Sequence, residues 1–214
     1  MNTREKNVVY QTTNTYETLN QHTAKTKHVW IVLHGIGYLS KYFIRYFEAL
    51  NAEENYIIAP QAPSKYYLKN EYKYVGASWL TKENTGTETQ NVIAYLDANY
   101  GAENIHSSTN LIVFGFSQGV SIACRWVAQK QLKCNQLVLY AGGIPNELKA
   151  DDFTFLEEQN TKVKIIVGNK DEYLNEERMK LEIKKISTIF SNKAELLIFE
   201  GGHEVKKELL NNLV

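Results

Sequence analysis

Short apolar runs punctuate this chain at intervals that leave room for a helix between most of them. Val29-Trp30-Ile31-Val32-Leu33, Tyr56-Ile57-Ile58-Ala59, Leu111-Ile112-Val113-Phe114, Leu137-Val138-Leu139-Tyr140, the run from Val163 to Val167 and Leu196-Leu197-Ile198-Phe199 are the clearest. They are continuous rather than alternating, which is the pattern of a parallel sheet buried on both faces. Between them, apolar residues recur at three- and four-residue spacing. Phe43, Tyr46, Phe47 and Leu50 predict a helix over Lys41 to Leu50. Val92, Ile93 and Leu96 predict one over Thr87 to Asn99, stopped at Gly101. Further helices are predicted over Val120 to Gln129, Glu176 to Phe190 and Val205 to Leu213. The Thr- and Tyr-rich stretch from Val8 to Leu19 suits an edge strand or hairpin. Strands alternating with helices predict a three-layer α/β/α sandwich around a mostly parallel sheet. No repeat or linker-like tract interrupts the pattern, so residues 1–214 read as one domain.

Charge narrows the partners. Lys plus Arg number 24 and Asp plus Glu 24, so the chain has no basic surplus to hold nucleic acid phosphates. Lysine pairs such as Lys184-Lys185 read as solvated helix faces. The first residues lack the apolar core of a signal peptide, and no apolar run reaches the roughly 18 residues of a membrane span. Cys124 and Cys134 fit neither a metal motif nor a disulfide framework. The expectation is a soluble, reduced, cytoplasmic protein without stable membrane insertion.

One turn carries chemistry. Gly115-Phe116-Ser117-Gln118-Gly119 reads Gly-x-Ser-x-Gly between a predicted strand and a predicted helix. A serine there sits on a tight turn, its hydroxyl lifted clear of the sheet. A merely helix-capping serine is the plainer alternative. Serine is a weak nucleophile and needs a base, and the base needs an orienting acid. Of the 5 histidines, His203 follows the last strand in a glycine-rich loop, Gly201-Gly202-His203-Glu204. His22, His28 and His106 fall away from the carboxyl ends of the strands, where sites of such sheets lie. Asp171 follows the run ending at Val167, between Ser117 and His203 in chain order. Glu172 is its neighbour and substitute, Asp151 and Asp152 are further alternatives, and a cap for the helix near Asn175 is its structural role. Two backbone donors must meet the oxyanion. Gln118 offers one, and Ile36 in Leu33-His34-Gly35-Ile36-Gly37 the other. His34 is expected to hold that loop by a side-chain hydrogen bond. No cluster of His, Cys and acid has metal-ligand spacing, so no metal and no cofactor is expected.

These four segments together resemble the phospholipase/carboxylesterase group of α/β-hydrolases, which includes acyl-protein thioesterases. Gly-Phe-Ser-Gln-Gly is more specific than bare Gly-x-Ser-x-Gly, and the segments run in the family's order from about residue 29 to the end. The resemblance implies that Ser117, Asp171 and His203 act as a triad, with the Ile36 and Gln118 N–H groups at the oxyanion. It implies a small-molecule acyl ester or thioester substrate. The same triad serves amides, lactones and acyl peptides, and a silent binding module is the alternative of another class. The chain departs from the family at Tyr38, where many members carry aspartate, and at Gly143-Ile144-Pro145. Those departures point to short or medium acyl chains or aryl esters. The aromatic segment Tyr66 to Trp79 leaves the sheet on the same side; Tyr74 and Trp79 are its candidate substrate-binding residues, the alternative being a self-packed loop.

Overall fold

A computed structural model describes residues 3–69 and 71–214. The predicted runs become strands β1 (Tyr16–Leu19), β2 (His28–Leu33), β3 (Asn55–Pro60), β6 (Asn110–Phe116), β7 (Gln136–Tyr140), β8 (Lys162–Gly168) and β9 (Glu195–Phe199). They form a seven-stranded sheet in the order β1-β3-β2-β6-β7-β8-β9. All neighbours are parallel except β1, which runs antiparallel to β3 at the edge. From β2 the chain builds first to one side and then, through β6, to the other. The carboxyl ends of β2 and β6 therefore flank the switch point where a crevice opens.

Helices cover both faces because each strand supplies both. Val29, Ile31 and Leu33 of β2 pack with Val113, Leu137 and Leu139 under α2 (Thr85–Ala102) and α3 (Gln118–Lys130), with Ile189 of α5 (Glu176–Ile189) beside them. Trp30 and Val32 point the other way, with Ile112, Phe114, Val138 and Tyr140. There they meet Phe43 of α1 (Ser40–Phe43), the following turn, and Leu210 of α6 (Lys207–Leu210). Two complete apolar layers on one sheet are the burial that continuous runs foretell.

Several expectations change. The helix over Lys41 to Leu50 is a four-residue α turn followed by a 3-10 turn over Ile44–Phe47, still burying Phe43 and Phe47. Gly101 does not stop α2. It lies inside the helix, and Asn104 takes the left-handed backbone beyond it (φ 47°). Asparagine is one of the few non-glycine residues that tolerates that conformation. Asp151 and Asp152 lie in a short 3-10 turn before α4 (Thr154–Glu158). The stretch from Val8 is strand only from Tyr16. The last strand is a true edge, with Ile198 58% exposed. The aromatic segment is a separate hairpin: β4 (Ser64–Tyr67) pairs antiparallel with β5 (Val75–Ser78).

Candidate active site

Ser117 joins β6 to α3 with φ 53° and ψ −117°, a conformation L-residues avoid. Such a backbone costs about 1–3 kcal/mol and persists only where the surroundings enforce it. The motif glycines explain the enforcement. A Cβ on Gly115 would lie 2.5 Å from the Gly119 carbonyl oxygen, and one on Gly119 would lie 2.1 Å from that of Leu33. The strand and helix close over each other at a distance only glycine allows. Gln118 ties the turn down from above. Its Oε1 accepts from the Trp79 N–H at 2.8 Å, and its Nε2 donates to Ser78 Oγ at 3.0 Å and to the Leu80 carbonyl at 2.8 Å.

Three side chains from three strand ends meet here. His203 Nε2 lies 2.9 Å from Ser117 Oγ, and its Nδ1 lies 2.8 Å from Asp171 Oδ2. The carboxylate only accepts, so Nδ1 carries the proton and Nε2 faces the hydroxyl as an acceptor. The other oxygen of Asp171 accepts from the Tyr173 and Leu174 N–H groups at 2.8 and 3.1 Å. Asp171 thus does not cap α5; Asn175 does, accepting from Arg178 N at 3.0 Å. Glu172 is exposed. The two loops interlock: Lys170 N donates to the Gly201 carbonyl at 2.8 Å, and Gly201 N donates to Asn169 Oδ1 at 3.2 Å. The rings of Phe116 and Tyr173 flank the imidazole at 5.1 and 4.7 Å. An arrangement of this kind can pass a proton from a hydroxyl to an imidazole whose charge a buried carboxylate offsets.

A cavity of about 490 Å³ opens over Ser117. Ile36, Tyr38, Phe116, Tyr173 and Leu174 give it apolar walls, and Gln118, Arg178 and His203 also line it. Gln118 opens α3, so its N–H is one of the helix's unpaired first donors. The Ile36 N–H has no hydrogen-bond partner among the described residues. Tyr38 packs its ring edge-on against Phe116 and places its hydroxyl 3.2 Å from that of Tyr46.

Two sequence-derived candidates lie elsewhere. Trp79 is fully buried, not a cavity wall; its Nε1 donates to the His34 carbonyl at 2.8 Å. A large ring that ends a hairpin beside the core gains more by burial than by facing solvent. Tyr74 is exposed on the hairpin, beneath the Lys73 ammonium, and does not reach the cavity. Arg178 and Tyr173 do reach it, and sequence reading passed over both. Lys185 is not a solvated face residue: it turns inward onto the Ile144 carbonyl, Asn146 Oδ1 and Glu182. Among the described residues no group of His, Cys, Asp or Glu is placed to hold a metal, and no helix is long and apolar enough to cross a membrane.

The family model for phospholipase/carboxylesterase matches residues 14–214. This chain belongs to that family. Solved structures agree on the α/β-hydrolase fold. Acyl-protein thioesterase 2 of Zea mays superposes with a TM-score of 0.69 at 16% identity, covering 94% of this chain and 96% of that one. A phospholipase/carboxylesterase from Dyadobacter fermentans gives 0.65 at 21% identity, covering 96% and 98%. Esterase PE8 gives 0.63 at 19% identity, covering 92% and 94%. A search of curated proteins found no match.

Proposed function

We propose that this phospholipase/carboxylesterase family member is a serine hydrolase that cleaves carboxylic esters or thioesters, working as one domain. Ser117 is the nucleophile, His203 the base and Asp171 the orienting acid. Ser117 Oγ attacks the acyl carbonyl as His203 Nε2 takes its proton. The Ile36 and Gln118 N–H groups receive the oxyanion. His203 then protonates the departing alcohol or thiol, and a water activated by the same nitrogen releases the acid. Asp171 holds the tautomer throughout. The substrates are short or medium acyl chains or aryl esters, in keeping with a cavity of about 490 Å³ walled by aromatic rings. A reducing, cytoplasmic setting belongs to the same reading, since Cys124 and Cys134 are both free and buried.

The observation that carries the reading is the chain of 2.9 and 2.8 Å contacts from a strained Ser117 through His203 to Asp171. A fluorophosphonate probe tests it directly, because it labels only an activated serine. The wild-type protein should be labelled once per chain and should hydrolyse 4-nitrophenyl esters. Ser117→Ala should lose both while melting at the same temperature. Labelling that survives Ser117→Ala would remove the assignment.

A further inference from the structure

Gly143, just past the carboxyl end of β7, lets a charged side chain reach the cavity. A Cβ on Gly143 would lie 3.0 Å from an Arg178 guanidinium nitrogen and 3.1 Å from Glu182 Oε1. Arg178 sits in the first turn of α5 and lines the cavity over Ser117. With His203 neutral, it is the one charged side chain among the described lining residues; no carboxylate is among them.

Its position is set from beneath. Glu182 is buried, its side chain 3% exposed, and its Oε1 lies 2.7 Å from Arg178 Nη2. The same carboxylate takes Lys185 Nζ at 3.2 Å and the Ile144 N–H at 3.2 Å. Two cations thus share one buried anion, and a net positive charge remains. Lys185 has three acceptors for its three donors: Glu182, the Ile144 carbonyl and Asn146 Oδ1. The guanidinium has five donors and spends one direction on Glu182. The surplus charge and the free donors therefore belong to Arg178, which lines the cavity. Asp171 is buried behind His203 and committed to its own partners, and the exposed Glu172 carboxylate lies beside Gly202 without lining the cavity. Arg178 is itself half exposed, and the buried Glu182 anchor holds its planar fork ready for a ligand.

We infer that Arg178 is a specificity-determining residue that selects substrates carrying a carboxylate, so that this enzyme prefers anionic esters or thioesters to neutral ones of the same size. The inference rests on the hydrolase reading above and names its substrate class. The carboxylate pairs with the guanidinium fork while the ester carbonyl lies at Ser117. It can belong to the acyl part, as in a half-ester of a dicarboxylic acid, or to the leaving group.

Matched ester pairs test this. 4-Nitrophenyl hemiglutarate against 4-nitrophenyl valerate probes the acyl side; 4-acetoxybenzoate against methyl 4-acetoxybenzoate probes the leaving side. In at least one pair the anionic ester should have a kcat/KM about ten- to a hundredfold higher at low salt, mostly through KM. The advantage should shrink as salt rises. Arg178→Gln should abolish the anionic-to-neutral ratio, and Arg178→Lys should restore part of it. The ratio is internal to each variant, so a general loss of activity does not imitate the effect. Glutarate or benzoate should also slow fluorophosphonate labelling of the wild-type protein, which needs no variant to fold. A ratio near one in both pairs, or a ratio that Arg178→Gln leaves unchanged, would overturn the inference while leaving the hydrolase reading intact. Absence of labelling and of hydrolysis with every ester would remove both.

Discussion

Two histidines follow strands of the same sheet at the same end, and they hold the same tautomer. His34 directly follows β2 and His203 follows β9. His34 Nδ1 donates to the Gly35 carbonyl at 2.8 Å and its Nε2 accepts from the Ala62 N–H at 3.1 Å. His203 Nδ1 faces a carboxylate instead, and its Nε2 faces a hydroxyl. His34 is wholly buried, while the His203 side chain is 16% exposed to the cavity. Burial pushes the His34 pKa down to about 4 from an ordinary 6.5. A proton on its Nε2 would also meet the Ala62 N–H head-on. The imidazole ring is therefore a fixed bracket in one loop and faces a serine hydroxyl in the other. The difference lies in burial and partners: desolvation in the core disfavours a charged His34 and outweighs the Gly35 carbonyl, which favours it, whereas His203 has a carboxylate at Nδ1.

The largest effect expected from this contrast is on activity. His203→Gln should lower ester hydrolysis by about 10⁴-fold or more at every pH, with the melting temperature nearly unchanged. His34→Gln should do the reverse, lowering stability first. If His34→Gln matched the catalytic loss of His203→Gln in a folded protein, the division of labour would be wrong. Next comes the partner that separates them. Asp171→Asn should cost about 10⁴-fold in kcat by destabilising the required tautomer, and Glu172→Gln far less. A reversal would move the acid to Glu172.

A smaller effect concerns pH and stability. The folded state holds the His34 pKa below its unfolded value, so between about 6.5 and about 4 the unfolded chain binds the extra proton. Stability is fully present above pH 6.5 and falls as pH drops toward 4, by about 3 kcal/mol from this residue. Denaturant melts at pH 7 and pH 4.5 should show a loss that is smaller in His34→Gln. An equal loss in the variant would assign the acid sensitivity elsewhere. The smallest effect is a silence: burial pushes the thiols of Cys124 and Cys134 up to about 12. Iodoacetamide at pH 8 should leave both untouched in the folded protein and alkylate both in denaturant. Rapid alkylation of the native chain would show that the core under α3 opens readily.

Most of the frame was legible because burial on two faces leaves an unbroken apolar run. The runs at Val29 to Leu33 and Leu111 to Phe114 are strands in the middle of the sheet. The Ser117 turn was legible because its geometry demands glycine at two fixed places. Less was legible where local chemistry permits several outcomes. Gly101 reads as a helix stop, yet Asn104 does that work one turn later. Trp79 reads as a pocket aromatic, yet its indole N–H finds the His34 carbonyl inside the core. Arg178 gave no signal, because nothing in its neighbours along the chain shows that Glu182 and Gly143 place it over Ser117.

The sequence by itself determined the three-layer class, the centre of each main strand and the Ser…Asp…His order of the candidate residues, since periodicity and glycine placement are local properties. Only the tertiary structure decided which histidine turns its Nε2 to the Ser117 hydroxyl, which aromatic is buried and which cation lines the cavity. Those outcomes depend on groups dozens of residues apart, such as Ala62 at His34 or Asp171 at His203, whose approach is set by how the helices close over the sheet.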